Sequence, residues 1–169
     1  MNPCRCGQAT EPGYVCRRQP NERCIAQYQA RLSGPLLDRI DLVIEVPAVT
    51  AADMILPPPL EGSAQVAARV LQARQRQEKR YAALGLDRIA TNAACPPALL
   101  EEVAQPDPDG LSLIRDAANA MRLSARGFHR VLKVGRTLAD LDGEERVRRI
   151  HVAEALSYRA HADRRAAVA

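Results

Sequence analysis

Three basic residues, Arg126, Arg130 and Lys133, are spaced by three or four positions in a segment whose apolar residues also recur at helical spacing. In a helix these cations share one face, opposite an apolar stripe that begins at Phe128. Arg126 falls in the first turn, where the positive end of the helix dipole favours an anion. The pattern therefore predicts a cationic surface that can meet a phosphate, with a solvated basic face as the alternative.

A group of cysteines near the N-terminus offers a second kind of chemistry. It supplies four thiol groups, the number that a structural zinc ion requires, in a segment with no other evident source of order: Cys4, Cys6, Cys16 and Cys24. Their spacing is irregular, however, and uncoordinated thiols in a loop are the interpretation that we favour. No metal ligand is therefore predicted.

The sequence lacks the parts that hold ATP phosphates and magnesium in known ATPases. No Gly-x-x-x-x-Gly-Lys-Ser/Thr segment is present, and no apolar strand ends in paired acidic residues. The chain alone is therefore not expected to bind ATP or Mg²⁺ tightly, or to hydrolyse ATP.

The charge balance permits anionic partners. The formal net charge is +4 and the pI is about 9.0, which is a mild basic bias. No run of eighteen apolar residues and no secretory signal occur, so we predict a cytoplasmic chain with no membrane partner. A further basic cluster can touch DNA phosphates, although a solvated helix face is favoured: Arg69, Arg74, Arg76, Lys79 and Arg80.

The elements that position these residues are predicted to be mainly α-helical. Of the 169 residues 47% are hydrophobic but only 3% are aromatic, which favours helices packed through aliphatic side chains. A bundle of five helices is expected over residues 63–159, with a ragged basic tail at 160–169. Its helices are predicted at 63–85, at 96–103, from the Asp107 cap, from the Ser124 cap to Gly143, and at 149–159. The first helix is expected to bury one stripe: Val66, Val70, Ala73, Gln77, Tyr81 and Leu84.

Residues 1–47 have a different character. A loop is expected first, then a short helix over 25–37 with a break near Gly34, and then a strand over 42–46. A single strand must pair with a sheet supplied by something else, so this part is expected to be poorly ordered or to borrow contacts. The proline-containing stretch 48–62 is predicted to be a linker between the two domains.

Several segments together resemble one protein family. Residues 31–42 resemble the arginine-finger segment of AAA+ ATPases in the magnesium-chelatase branch, and residues 2–4 resemble its sensor-1 turn. Other segments resemble the sensor-2 helix and the closing helix of that branch: residues 123–130, 136–141 and 151–156. This resemblance implies an AAA+ C-terminal helical lid, preceded by a helix and strand from the α/β ATPase core. The N-terminus is accordingly expected to be an interior point of a longer protein.

The resemblance implies roles for three residues. Arg39 would be an arginine finger that stabilises charge on the γ-phosphate of a neighbouring subunit, which implies a homo-hexameric ring. A surface ion pair between Arg39 and Asp38 or Asp41 is the alternative. Asn2 would face the attacking water as sensor 1, and Arg126 would contact the nucleotide as sensor 2.

The resemblance also implies ATP and Mg²⁺ as cofactors of the longer protein, and leaves its substrate open. DNA remodelling, the role of competence-type relatives, is favoured over metal insertion into a porphyrin because the cysteine-containing insertion resembles those relatives. They suggest two Cys-x-Cys pairs, and here Arg18 stands where the fourth cysteine is expected, with Cys24 as an imperfect substitute. The alternative function is a stand-alone helical module that binds protein or nucleic acid without ATP.

Overall fold

The computed structural model describes residues 4–7, 15–16, 20–44, 46, 49–58 and 60–166. Within these ranges the structure is mainly α-helical, as predicted. Among the described helices there is no apolar stretch of the length that spanning a membrane requires. The described α-helices are α1 (Asn21–Gln29), α2 (Gly34–Leu37), α3 (Ser63–Ala83), α4 (Pro97–Val103), α5 (Pro108–Ala120), α6 (Ala125–Asp142) and α7 (Arg149–Ala166), with short 3₁₀ turns at Asp53–Ile55 and Asn92–Ala94.

Helices α3 to α7 form a bundle in which α6 is central. Helix α6 packs against α3, α4 and α7, and α5 packs against α7. The core is aliphatic, and its buried residues include Leu100, Ile114, Val131 and Val152. Burying such side chains is the main source of stability for a helical domain of this size. We refer to this bundle, residues 63–159, as the lid.

Local hydrogen bonds explain where the lid helices begin and end. The side chain of Asp107 accepts a hydrogen bond from the Gly110 N–H at 2.7 Å, and Ser124 accepts one from the Gly127 N–H at 3.0 Å. These caps satisfy N–H groups that have no partner within the helix, and both were predicted. Gly143 ends α6 with a φ of +80°, which glycine adopts without strain. Helix α7 continues to Ala166. The prediction of a ragged tail over 160–169 is therefore wrong for residues 160–166, which are helical.

The first half of α3 does not follow its predicted stripe. Ala73, Gln77 and Tyr81 are buried, but Val66 and Val70 are 38% and 43% exposed. The buried residues of α3 begin at its midpoint, Ala73, and the arginines that bond to Asp140 of α6, Arg76 and Arg80, follow in its second half. Apolar periodicity therefore indicated the correct face of α3 but overestimated how much of that face finds a partner.

The predicted strand over 42–46 does not form in the described residues 42–44 and 46. A strand needs a paired neighbour, and the part of the chain described here offers none beside it. The segment instead borrows a contact from the lid, since the N–H of Val43 donates to the carbonyl of Tyr158 on α7 at 3.3 Å.

A fully buried carboxylate, that of Asp140 on α6, ties α3 to α6. Arg80 of α3 donates to both of its oxygens, and a nitrogen of Arg136, one turn earlier on α6, lies 3.1 Å from Oδ1. The side-chain amide of Asn92 donates to Oδ2 at 2.8 Å and accepts a hydrogen bond from the Tyr81 hydroxyl at 3.0 Å. Burial lowers the pKa of Arg136, and the charge of Asp140 opposes that shift.

We expect Asp140→Ala to lower the free energy of unfolding of the lid by about 3–5 kcal/mol, because Arg136, only 2% exposed, would lose its counter-charge. Urea denaturation followed by circular dichroism measures this change. The matched control is Asp116→Ala, an exposed aspartate on α5, which should change stability by less than about 0.5 kcal/mol. Equal effects of the two substitutions would show that the buried network does not stabilise the lid.

Candidate functional site

An open cleft of about 390 Å³ runs along the N-terminal half of α6. Cavities that bind small molecules span about 300–1,000 Å³, so the cleft has room for the phosphates of a nucleotide. The predicted sharing of one face by Arg126, Arg130 and Lys133 is confirmed, since all three line it. The remaining lining residues are Asp41, Ala93, Pro97 and His129.

The three cations of the cleft differ in their contacts. Lys133 donates to the carbonyl of Ala93 at 2.8 Å, and Arg130 forms an ion pair with Asp41. The Nε of Arg130 is buried without a hydrogen-bond partner. Arg126 is exposed, and within the described residues it forms no hydrogen bond or ion pair. The cleft therefore contains three cations against one carboxylate, with one guanidinium fully available to an anion.

The segment 38–41 is attached to the lid by its two aspartates. Asp38 accepts hydrogen bonds from the Arg159 guanidinium of α7 and from the Ser124 hydroxyl, the latter at 3.2 Å. Arg159 is 6% exposed and also donates to the carbonyl of Ile40 at 3.4 Å. Together with the pair between Asp41 and Arg130, these contacts place the segment against the start of α6 and the middle of α7.

Arg39 lies between these two aspartates in the sequence. It forms an ion pair with neither of them, although such a surface pair was the alternative to the arginine-finger role. Its side chain is exposed, and its Nη1 donates to the carbonyl of Pro35 in α2 at 2.9 Å. Within the described residues it has no acidic partner, because Asp38 and Asp41 are both engaged by the lid. The guanidinium therefore keeps most of its donors available. Asn2, the predicted sensor-1 residue, lies outside the described residues.

The four N-terminal cysteines, interpreted from the sequence as uncoordinated thiols in a loop, lie together in the structure. The sulfurs of Cys4, Cys6, Cys16 and Cys24 are all within 4.8 Å of one another, and all but Cys6 are buried. The sulfurs of Cys6 and Cys16 are 3.3 Å apart. Hydrogen bonding to Cys16 raises the pKa of Cys6, and the same contact with burial raises the pKa of Cys24 to about 11. The structure thus brings together a set of residues with the composition of a soft-metal site.

Two features of the site were missed by the sequence analysis. The basic cluster of α3 is partly used inside the lid: Arg80 binds Asp140, and Arg76 donates to the Asp140 carbonyl at 2.9 Å. Arg159 was not singled out at all, although it continues the buried stripe of Val152 and Leu156 along α7. A charged residue that continues an apolar stripe along a helix indicates a buried ion pair. The sequence alone shows this pattern at Arg159.

Comparison with known proteins identifies the family. The family model described as magnesium chelatase, subunit ChlI C-terminal, matches residues 60–159, and that described as magnesium chelatase, subunit ChlI, matches residues 1–54. The competence protein ComM of Haemophilus influenzae is 38% identical over 161 residues, which are 95% of this chain and 30% of ComM. The uncharacterized protein YifB of Escherichia coli is 36% identical over 143 residues, which are 79% of this chain and 25% of YifB.

A third relative, the uncharacterized protein Rv2897c of Mycobacterium tuberculosis, is 35% identical over 169 residues, 97% of this chain and 31% of its own length. The chain thus spans less than a third of the length of these curated relatives. The match over 60–159 coincides with the helical lid, and the match over 1–54 contains the cysteine cluster and the segment of Arg39. The chain belongs to the magnesium chelatase subunit ChlI family, and its residues 60–159 match the C-terminal part of that subunit.

Proposed function

We propose that this chain is the C-terminal part of a ring-forming AAA+ ATPase, to which it contributes an arginine finger, Arg39, and a sensor-2 residue, Arg126. The observation that carries the proposal is the availability of Arg39. It stands between two aspartates, yet both are bound by the lid and its guanidinium is exposed without an acidic partner in the described residues. Membership of the magnesium chelatase family supports the same assignment.

An arginine finger acts across a subunit boundary. A guanidinium is always charged and offers several donors in a planar fork, which suits the oxygens of a phosphoryl group undergoing transfer. Arg39 has the exposure that this role requires, and the attachment of Asp38 and Asp41 to α6 and α7 limits the movement of its backbone. Because the backbone is already held, the Arg39 side chain can extend to a neighbouring subunit without the entropy cost of ordering a flexible loop.

Arg126 would act within its own subunit. The lid presents the first turn of α6, with its positive dipole and the exposed Arg126, to the cleft, and Lys133 adds a second charge. The ATPase core that binds the nucleotide would come from the part of the longer protein that precedes this chain. The lid would close on the phosphates of the bound ATP, and the core would hold Mg²⁺.

We propose that the assembled ring remodels DNA. Metal insertion into a porphyrin is the second candidate activity. The relative named competence protein ComM favours the first, and the family description favours the second. The basic residues of α3 add little to the case for DNA, because Arg76 and Arg80 are engaged by Asp140. The partners proposed for the chain are neighbouring subunits of a homo-hexamer, with DNA as the substrate that the ring moves.

In the full-length protein, Arg39→Ala should lower kcat for ATP hydrolysis by about 10³- to 10⁵-fold, the range that an arginine finger contributes, with little change in nucleotide affinity. Steady-state turnover and nucleotide titration measure the two quantities. Arg88→Ala, which alters an exposed arginine of the lid that has no ion pair in the described residues, is the matched control and should leave kcat unchanged.

Mixing experiments test whether Arg39 acts in trans. Subunits that carry Arg39→Ala and subunits that carry a disabled phosphate-binding lysine should each be inactive alone. A mixed ring should regain part of the activity, since some interfaces then join an intact nucleotide site to an intact Arg39. If Arg39→Ala rings retain full turnover, the finger assignment is wrong and a stand-alone binding module becomes the better explanation.

Arg126→Ala should weaken nucleotide binding by the full-length protein by about tenfold or more, because a charge-assisted hydrogen bond to phosphate contributes roughly 1.5–3 kcal/mol. Binding of a fluorescent ATP analogue measures the change. Arg126→Lys should recover part of the affinity through its retained charge. The control is Arg115→Ala, an exposed arginine on α5, and an equal loss of affinity in this control would contradict a specific role for Arg126.

A further inference from the structure

Three separate pieces of backbone position the cysteine cluster. Residues 4–7 form a turn in which the N–H of Gly7 donates to the carbonyl of Cys4 at 3.1 Å, and Gly7 has a φ of +90°. The backbone N–H of Cys16 donates to the side-chain oxygen of Asn21, at the start of α1, at 2.8 Å. Cys24 lies one turn further along α1. The turn, the tethered Cys16 and the helix direct all four sulfurs to one point.

The size of the cluster matches a tetrahedral metal site. Zinc binds thiolate sulfur at about 2.3 Å, so the sulfurs of a tetrahedral site are about 3.8 Å from one another. Here the four sulfurs all lie within 4.8 Å of one another, and those of Cys6 and Cys16 are 3.3 Å apart. Shifts of about 1 Å or less would bring the set to the ideal spacing.

Packing alone gives a poor explanation of this cluster. Among the described residues, Ile25 is the one apolar side chain other than the cysteines that packs against it, and the cluster is separate from the core of the lid. Three buried thiols with one isoleucine remove little apolar surface from water, so they offer little to offset the conformational entropy that residues 4–7 and 15–16 lose on folding. A bound metal supplies that free energy directly, as it does in small zinc domains.

We infer that Cys4, Cys6, Cys16 and Cys24 bind one Zn²⁺ as four thiolates and form a structural site that orders the segment preceding Arg39. Binding replaces the four thiol protons with one divalent cation, so the site carries a net charge of −2. Arg5 and Arg31 line a small cavity beside Cys24 and offset that charge. Four protein ligands leave no open coordination position, which indicates a structural and not a catalytic metal.

Cys24 on α1 is the fourth ligand. Its place in the helix brings its sulfur to the same point as those of Cys4 and Cys6, despite the irregular spacing in sequence. Cys95, the remaining cysteine, is buried in the core of the lid and belongs to a different cluster. It therefore provides a matched control for substitution of a buried cysteine outside the proposed site.

The test uses the 169-residue chain, produced with zinc in the medium and purified under reducing conditions without chelator. Elemental analysis should find one zinc per chain. Cys4→Ser, Cys16→Ser and Cys24→Ser should each lose zinc to a competing colorimetric chelator at least tenfold more readily than the unaltered chain, while Cys95→Ala should retain it. Circular dichroism should show that the lid helices persist in the three serine variants, because the lid core shares no residue with the cluster.

Cobalt provides an independent readout of geometry. Substitution by Co²⁺ should give the intense visible absorption of a tetrahedral site together with sulfur-to-metal charge transfer, and Cys24→Ser should change both. A chain that contains no zinc when purified in this way would overturn the inference. So would full retention of zinc by Cys24→Ser, or a weak cobalt spectrum of the octahedral type. None of these measurements depends on ATP, so their outcome is independent of the roles proposed for Arg39 and Arg126.

Discussion

A carboxylate as completely buried as that of Asp140 must be met by opposite charge and by hydrogen-bond donors, because an unpaired charge inside a protein costs several kcal/mol. Arg80 from α3 and Arg136 from α6 supply the charge, and Asn92 completes the set of donors. The first half of α3 has little buried surface, so this network is a principal attachment of α3 to the bundle. It also fixes the second half of α6, and the first half, with Arg126, extends from it as one continuous helix.

The same balance of charge decides which arginines remain available at the surface. Asp140 holds Arg80 and Arg136, and Asp38 holds Arg159, so these arginines are not available to other anions, whereas Asp41 pairs with Arg130 at the edge of the cleft. Arg39 and Arg126 are left exposed without an acid partner in the described residues, although aspartates lie next to Arg39 in sequence. Position relative to these aspartates, more than the number of basic residues, therefore separates structural arginines from those that can meet a phosphate.

The parts of this structure that follow from local chemistry could be predicted from the sequence, and the parts that depend on distant partners could not. Asp107, Ser124 and Gly143 mark helix ends through bonds to residues within a few positions, so they were identified correctly. The strand predicted over 42–46 does not form in the described residues 42–44 and 46, because a strand requires a paired neighbour and local sequence cannot supply one. The role of Arg80 could not be read from α3, since Asp140 is 60 positions away. The cysteines were interpreted as uncoordinated because their spacing in the sequence is irregular. In the structure a turn and a helix bring their sulfurs together.

The ion pair between Asp41 and Arg130 links the two proposed roles of the chain. Arg130 lines the cleft, and the carboxylate that it binds belongs to the segment that holds Arg39. An anion bound in the cleft would compete with Asp41 for the same guanidinium, and would thereby weaken one of the two attachments of the segment to the lid. Asp38 would keep the other attachment through Arg159, so the segment would shift without detaching. By linkage, the position of Arg39 must in turn affect the affinity of the cleft for that anion. If the cleft binds the phosphates of one subunit and Arg39 reaches those of the next, this shared arginine gives neighbouring sites a direct physical means of sensing each other.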